Sequence, residues 1–304
     1  MAKFRDSTLF ESPSAAEPIF EKGKVSVHDR AIGEIIRDTR NLTAEQVEQI
    51  LSRQREAHVR FGEAAVALGF VSTDDVLYAL AQQFHYPYSP AERREINPEL
   101  VTLNQPFSVQ AEAFRATRSQ VIMRLFNERE PHRAVAIVSP DSGDGKTYFS
   151  ANLAVTLAQL GGRTLLVDAD LRGPRQHEVF GISNIAGLSG ILSGRAETQV
   201  IQQVVGVPSL FVLPAGTTPP NPLELVERPA FGLLIRELLA KFDHLIVDTP
   251  AAIYGSDATV ITARCGAGLV VARKNRSRVA ELQALANSLA SGPTKLAGII
   301  VNEF

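Results

Sequence analysis

Ser139-Pro-Asp-Ser-Gly-Asp-Gly-Lys-Thr147 sets a lysine and a hydroxyl directly after two glycines. Gly143 and Gly145 let backbone N–H groups converge on an anion with no Cβ in the way. Lys146 has the reach for β- and γ-phosphates, and Thr147 can place a hydroxyl on Mg²⁺. Ser142, Asp144 and Tyr148 complete the stretch that would wrap a nucleotide. The usual first glycine of such a loop, six residues before the lysine, is Pro140 here. Two further runs supply acids: Leu165-Leu-Val-Asp-Ala-Asp-Leu-Arg172 carries Asp168 and Asp170, and Leu245-Ile-Val-Asp-Thr-Pro250 carries Asp248. A single acid at a strand end is ordinarily a cap. Three acids downstream of a phosphate loop are placed to hold Mg²⁺ and its waters. Asp170, Asp248 and Thr147 are the metal candidates, and Asp168 is the candidate to take a proton from an attacking hydroxyl. No catalytic cysteine or histidine is implied.

These residues need particular elements behind them. The apolar run Ala134 to Val138 reads as a buried strand. Ala151, Leu153, Ala154, Leu157, Ala158 and Leu160 follow at helical spacing, and Gly161-Gly162 stops that helix. Strands are predicted at Val135–Val138, Thr164–Val167, Leu210–Leu213, His244–Val247, Leu269–Ala272 and Gly298–Val301. Helices are predicted near 147–160, 229–242, 257–264 and 278–291. This alternation gives an α/β fold, a doubly wound parallel sheet with helices on both faces. Acids at the carboxyl ends of its strands then sit beside the loop. Lys274, Arg276 and Arg278 follow the fifth strand, where a base or phosphate edge can approach.

The loop, the Val-Asp-Ala-Asp-Leu-Arg run and the Val-Asp-Thr-Pro run resemble the three Walker motifs of bacterial tyrosine kinases of exopolysaccharide export. MinD- and ParA-like ATPases share that fold but carry an extra lysine where this chain has Asp141. Glu112-Ala-Phe-Arg115-Ala-Thr-Arg118 resembles the helix with which those kinases assemble into rings, and Pro219 to Leu225 also resembles a loop and helix of the family. The resemblance covers residues 109–304. It implies ATP and Mg²⁺ as cofactors and a homo-oligomeric ring through Glu112, Arg115 and Arg118. It also implies a membrane polysaccharide co-polymerase, or chain-length determinant, as partner. Two other classes stay open: an ATPase switch without kinase activity, and a nucleotide-binding adaptor responsive to cyclic di-GMP. The kinases usually end in a tyrosine cluster. The five tyrosines here are Tyr78, Tyr86, Tyr88, Tyr148 and Tyr254, so phosphotyrosine is expected on Tyr86, Tyr88 or another protein.

Upstream lies an internal repeat at an offset of 29 residues: Ala31-Ile-Gly-Glu aligns with Arg60-Phe-Gly-Glu, Leu42 with Val71, Val47 with Val76 and Leu51 with Leu80. Each copy reads as helix, turn, helix, with capping boxes at Thr43/Gln46 and Ser72/Asp75. The pattern resembles the N-terminal domain of type II secretion and pilus assembly ATPases, whose tandem motif binds cyclic di-GMP in some members. That resemblance implies a ligand set of Arg60, Phe61, Gly62, Gly69, Leu80 and Gln83. In the first copy Ala31 stands for the arginine and Arg40 for the second glycine. The domain reading is therefore a flexible tail over 1–28, a helical module over 29–86, a proline-punctuated linker over 87–108, and the nucleotide domain over 109–304.

The chain has 304 residues, a net charge of −2, 45% hydrophobic residues and one cysteine, Cys265. That balance gives no nucleic-acid surface, and a lone cysteine excludes an internal disulfide framework. No apolar run reaches the roughly 20 residues of a membrane span, and no signal-peptide core is present. The expected setting is the cytoplasm, without direct membrane insertion, the protein being recruited to the inner membrane by its partner.

Overall fold

A computed structural model describes residues 32–83, 97–126, 131–195 and 200–303. The expected flexible tail, Ala31, Tyr86, Tyr88 and the side chain of Gln83 lie outside the described residues. The chain divides into two compact units.

The smaller unit holds α1 (Ile32–Arg40), α2 (Ala44–Ala57), α3 (Phe61–Ala67) and α4 (Thr73–Gln83). Helix α1 packs on α4 and α2 on α3, so each repeat buries its apolar stripe against the other copy. The buried cluster is Ile35, Ile36, Leu42, Ile50, Ala64, Ala65, Val71 and Ala79. These residues fall into four pairs at the 29-residue repeat offset. In each pair the first copy supplies the bulkier side chain and the second the smaller one, which lets the two halves interdigitate. Both capping boxes form. Gln46 Oε1 accepts from Thr43 N at 2.9 Å while Thr43 Oγ1 accepts from Gln46 N at 3.3 Å. Asp75 Oδ2 accepts from Ser72 N at 2.8 Å and Ser72 Oγ from Asp75 N at 3.2 Å.

The larger unit contains α5 (Val101–Asn104), α6 (Val109–Leu125), β1 (Ala134–Val138), α7 (Lys146–Ala158), β2 (Thr164–Asp168), α8 (Gln176–Phe180), α9 (Leu188–Leu192), β3 (Gln202–Gln203), β4 (Leu210–Leu213), α10 (Pro222–Glu227), α11 (Pro229–Leu239), β5 (His244–Asp248), α12 (Asp257–Cys265), β6 (Gly266–Arg273), α13 (Val279–Ala290) and β7 (Lys295–Asn302). The sheet order is β3-β4-β2-β5-β1-β6-β7. Every pairing is parallel except β3 with β4. The expected doubly wound parallel sheet is thus present, with one apolar cluster on each face. The antiparallel β3 had no sequence signal, because two glutamines carry no apolar run. Helix α7 is buried all round rather than on one face, because it lies against the sheet beneath α5, α6 and α8.

The linker expectation fails for residues 97–108. Leu100 and Leu103 are buried, and Thr102 is wholly so. Thr102 N and Oγ1 both donate to Asn152 Oδ1, at 3.1 and 2.9 Å, and Asn152 Nδ2 donates to the Glu99 carbonyl at 2.8 Å. The prolines that read as linker punctuation flank a short helix whose apolar residues complete the core over α7.

Candidate active site

The interior strand β1, between β5 and β6, delivers the phosphate loop, and the loop is braced from below. Lys146 Nζ donates to Ser139 Oγ at 3.0 Å. Gly143 and Gly145 take φ of +80° and +93°, a region closed to most side chains. A Cβ on Gly143 would also lie 3.1 Å from Arg276 Nη1. At Pro140, where such loops usually have glycine, the backbone is tied down: Ile253 N donates to the Pro140 carbonyl at 3.0 Å, and Ala252 N to that of Ser139 at 2.9 Å. Asp144 is fully buried and faces away from the ligand side. Its carboxylate accepts from Asp141 N at 3.1 Å and Ser277 Oγ at 3.0 Å. Its side chain is therefore a brace, and only its backbone is left for an anion.

The ladder register sets the acids. Asp168 pairs level with Asp248 across β2 and β5, and Ile137 with Asp248 across β1 and β5. Both acids are wholly buried. Asp168 accepts from Gln176 N at 3.0 Å and Asp170 N at 3.2 Å. Burial, and then the neighbouring Asp248, push its pKa well above the usual carboxylate value. Asp248 accepts from Gln176 Nε2 at 2.8 Å and Ser150 Oγ at 3.3 Å. Burial pushes its pKa up to about 6, against the opposing pull of Lys146 and of hydrogen bonds from Gln176 and Thr147. Two acids with raised pKa values beside a cavity mark a functional site rather than strand caps.

A cavity of about 530 Å³ opens over the loop, lined by Ser142, Gly143, Gly145, Lys146, Thr147, Tyr148 and Asp170. Of the three motif acids, Asp170 is on the cavity wall, while Asp168 and Asp248 lie behind it. Asp170 Oδ1 is fixed by Arg172 N at 3.1 Å and Gly173 N at 2.9 Å. Arg172 in turn forms a two-pronged pair with the buried Asp257, at 3.2 and 3.0 Å. Tyr148 is half-buried and meets Phe114 edge-on at 5.7 Å. Burial, and then Glu99, raise its pKa.

Sequence reasoning missed Glu99, Arg175 and Gln176. Glu99 and Arg175 line the cavity and pair at 2.7 Å. Glu99 sits in the stretch read as linker, and Arg175 in a loop without periodicity. Of the three cations after the fifth predicted strand, Arg276 lies against Gly143 of the phosphate loop, while Lys274 pairs with Glu303 and Arg278 with Glu281. In α6, Arg115 pairs with Glu112 at 2.7 Å and donates to the Pro106 carbonyl at 2.7 Å. Arg118 donates to the Thr156 carbonyl at 3.0 Å.

In the smaller unit the residues of the expected ligand set fall in different surroundings. Gly62 is buried, and a Cβ there would stand 2.6 Å from Val76 Cγ1, so the lack of a side chain lets α3 and α4 pack closely. Phe61 packs against Gly33 and the core. Leu80 is half-buried, while Arg60 and Gly69 are exposed. Gly69 takes φ of +73° in the turn after α3. Arg40, which replaces the second glycine of the first copy, donates to the buried Asp75 at 2.6 Å. Burial works to raise the Asp75 pKa, but the bonds from Arg40 and Ser72 overcome it and hold it below the usual value.

The site fits Mg·ATP. Thr147 and Asp170 line the cavity beside the phosphate loop, and a hydroxyl with one or two carboxylates is the protein donor set of a Mg²⁺ that completes its shell with water and phosphates. The glycine conformations and the α7 N-terminus form the anion cradle.

Residues 135–304 match the CobQ/CobB/MinD/ParA nucleotide binding domain family. The chain is 33% identical over 216 residues to the putative tyrosine-protein kinase CapB of Staphylococcus aureus, covering 70% of this chain and 92% of CapB. It is 32% identical over 225 residues to the tyrosine-protein kinase ptk of Acinetobacter johnsonii, covering 71% of this chain but 30% of ptk. The kinase domain of the Escherichia coli tyrosine kinase ETK is similar in structure, with a TM-score of 0.64 and 30% identity, covering 72% of this chain and 88% of that domain.

Proposed function

The chain belongs to the bacterial tyrosine kinases built on the CobQ/CobB/MinD/ParA nucleotide-binding domain, and from that membership we propose that it is a Mg·ATP-dependent protein-tyrosine kinase acting in exopolysaccharide polymerisation or export. The observation that carries this reading is the register that sets Asp168 and Asp248 level at adjacent strand ends, directly behind a cavity faced by Lys146, Thr147 and Asp170.

Each residue has a part that follows from its place. The backbone N–H groups around Gly143 and Gly145 hold the phosphates. Lys146 exchanges its bond to Ser139 for the transferring γ-phosphoryl and neutralises charge that grows there. Thr147 would offer its hydroxyl to Mg²⁺, and Asp170 and Asp248 would hold the metal shell. The ion would supply positive charge against the charge of the phosphates. Asp168, kept ready to take up a proton by burial beside Asp248, accepts the proton of the attacking tyrosine hydroxyl. Glu112, Arg115 and Arg118 meet a neighbouring subunit, for which Glu112 stays exposed.

The partner in this reading is a membrane polysaccharide co-polymerase that recruits the kinase from the cytoplasm to the inner membrane. No helix among the described residues is long and apolar enough to cross a membrane. For the smaller unit, protein docking is favoured over cyclic di-GMP binding, because Gly62 and Phe61 are taken up by packing and Arg60 is left as the exposed arginine of the set. Incubation with γ-labelled ATP, with the partner's cytoplasmic segment present, separates the classes. Label on protein tyrosine supports the kinase, label appearing only as free phosphate supports an ATPase switch, and retention of all label on ATP supports an adaptor.

A further inference from the structure

Gln176 belongs to none of the three motifs, yet it binds groups from all of them. It is wholly buried. Its Nε2 donates to Asp248 Oδ2 at 2.8 Å and to the Thr147 carbonyl at 3.1 Å, and its backbone N–H donates to Asp168 Oδ2 at 3.0 Å. Both amide protons are therefore committed. The reversed amide would set Oε1 against a carboxylate and a carbonyl, two acceptors, so the nitrogen end is fixed by its surroundings. The atom left over is Oε1, which is buried and has no hydrogen-bond partner. A buried acceptor without a donor is rare and calls for a reason.

We propose that Gln176 is a positioning residue of the metal site. It holds Asp248 in register with the Thr147 turn and presents Oε1 to a water of the hydrated Mg²⁺. This rests on the Mg·ATP reading above. Metal-bound waters are strong donors, and Asp248 and Thr147, the groups that reading assigns to the metal, are the ones the amide already grips. Groups that bond the ligands of a metal commonly shift its affinity 10- to 100-fold when lost. A structural water unconnected with metal is the competing explanation for Oε1, and it predicts an effect on stability alone.

The test is equilibrium binding of a non-hydrolysable ATP analogue to the full chain by calorimetry, once with EDTA and once with excess Mg²⁺. Neither arm needs phosphoryl transfer. For Gln176→Met, EDTA affinity should stay within about twofold of wild type while the Mg²⁺ enhancement falls roughly tenfold or more. In a cycle with Asp248→Asn, the double variant should lose no more Mg²⁺ enhancement than the worse single one, because both act through one metal. Should Gln176→Met melt below the assay temperature, Gln176→Asn replaces it: its amide is too short to reach Asp248 and should show the same selective loss. An unchanged Mg²⁺ enhancement, equal losses in both arms, or additive effects in the cycle would each overturn the proposal. If wild type binds and the variant matches it, the inference alone fails. If wild type binds no Mg²⁺-nucleotide, the kinase reading fails and takes the inference with it.

Discussion

Replacing Asp248 by asparagine should stabilise the free protein at neutral pH and leave it unchanged in acid. The carboxyl is wholly buried, and its pKa rises from 3.8 to about 6. A carboxyl raised in the folded state makes folding take up a proton, so its favourable contribution is present below about pH 4 and is lost as pH rises through about 6. Above that pH the folded chain carries a buried charge that asparagine does not. A shift of about two units corresponds to about 3 kcal/mol at most, or on the order of 5–10 °C in the melting of a unit this size. Asparagine keeps an oxygen for Gln176 Nε2 and offers its amide to Ser150, so both bonds survive. Melting curves at pH 3.5 and pH 7.5, without nucleotide or metal, give the measurement. The variant should gain at pH 7.5, gain about half as much near pH 5, and show little or no gain at pH 3.5. A lower melting temperature for the variant at both pH values would refute the reasoning, since it would mean that the folded protein depends on the charged form.

Three other outcomes follow from the packing. Gly62→Ala should destabilise the smaller unit by about 1–3 kcal/mol, because its Cβ would press on Val76 Cγ1 at 2.6 Å; urea unfolding of the full chain checks this, and unchanged stability would return Gly62 to the ligand set. Arg40→Ala should cost that unit about 1–3 kcal/mol by leaving the buried Asp75 carboxylate without its partner, and the loss should shrink as pH falls below the ordinary carboxylate pKa, which pH-dependent melting would show. Replacing Arg115 and Arg118 by alanine should shift sedimentation towards monomer; a wild type that is monomeric under every ligand condition, partner included, would remove the assembly role.

Much of this site was legible because its residues sit where strands end, and strands end where apolar runs stop. Val138, Val167 and Val247 each close such a run, and the loop or the acids follow at once. The repeat was legible for a similar reason: a core built from two copies leaves its offset in the sequence, as Ile50 and Ala79 show. Gln176, Glu99 and Arg175 were not legible. Gln176 reaches Asp248 across 72 residues of chain and Arg175 reaches Glu99 across 76, and no spacing rule links such positions. The segment from Asn97 to Ser108 was misread because composition weighs prolines without knowing that Leu100, Thr102 and Leu103 have α7 to cover. Composition likewise could not show that Gly62 stands against Val76.

The central claim is that the cavity over Lys146 transfers a phosphoryl group to tyrosine. Its most direct test is phosphotyrosine mapping by mass spectrometry on wild type and Lys146→Met, each incubated with Mg·ATP and the cytoplasmic segment of the co-polymerase. Wild type should give phosphotyrosine on Tyr86, Tyr88 or the partner. The variant should give none while still melting cooperatively as a folded protein, since Lys146 Nζ makes a hydrogen bond to Ser139 and a charge interaction with Asp248 but fills no part of the apolar core. Equal phosphotyrosine in both proteins, or free phosphate without any phosphotyrosine in wild type, would contradict the account.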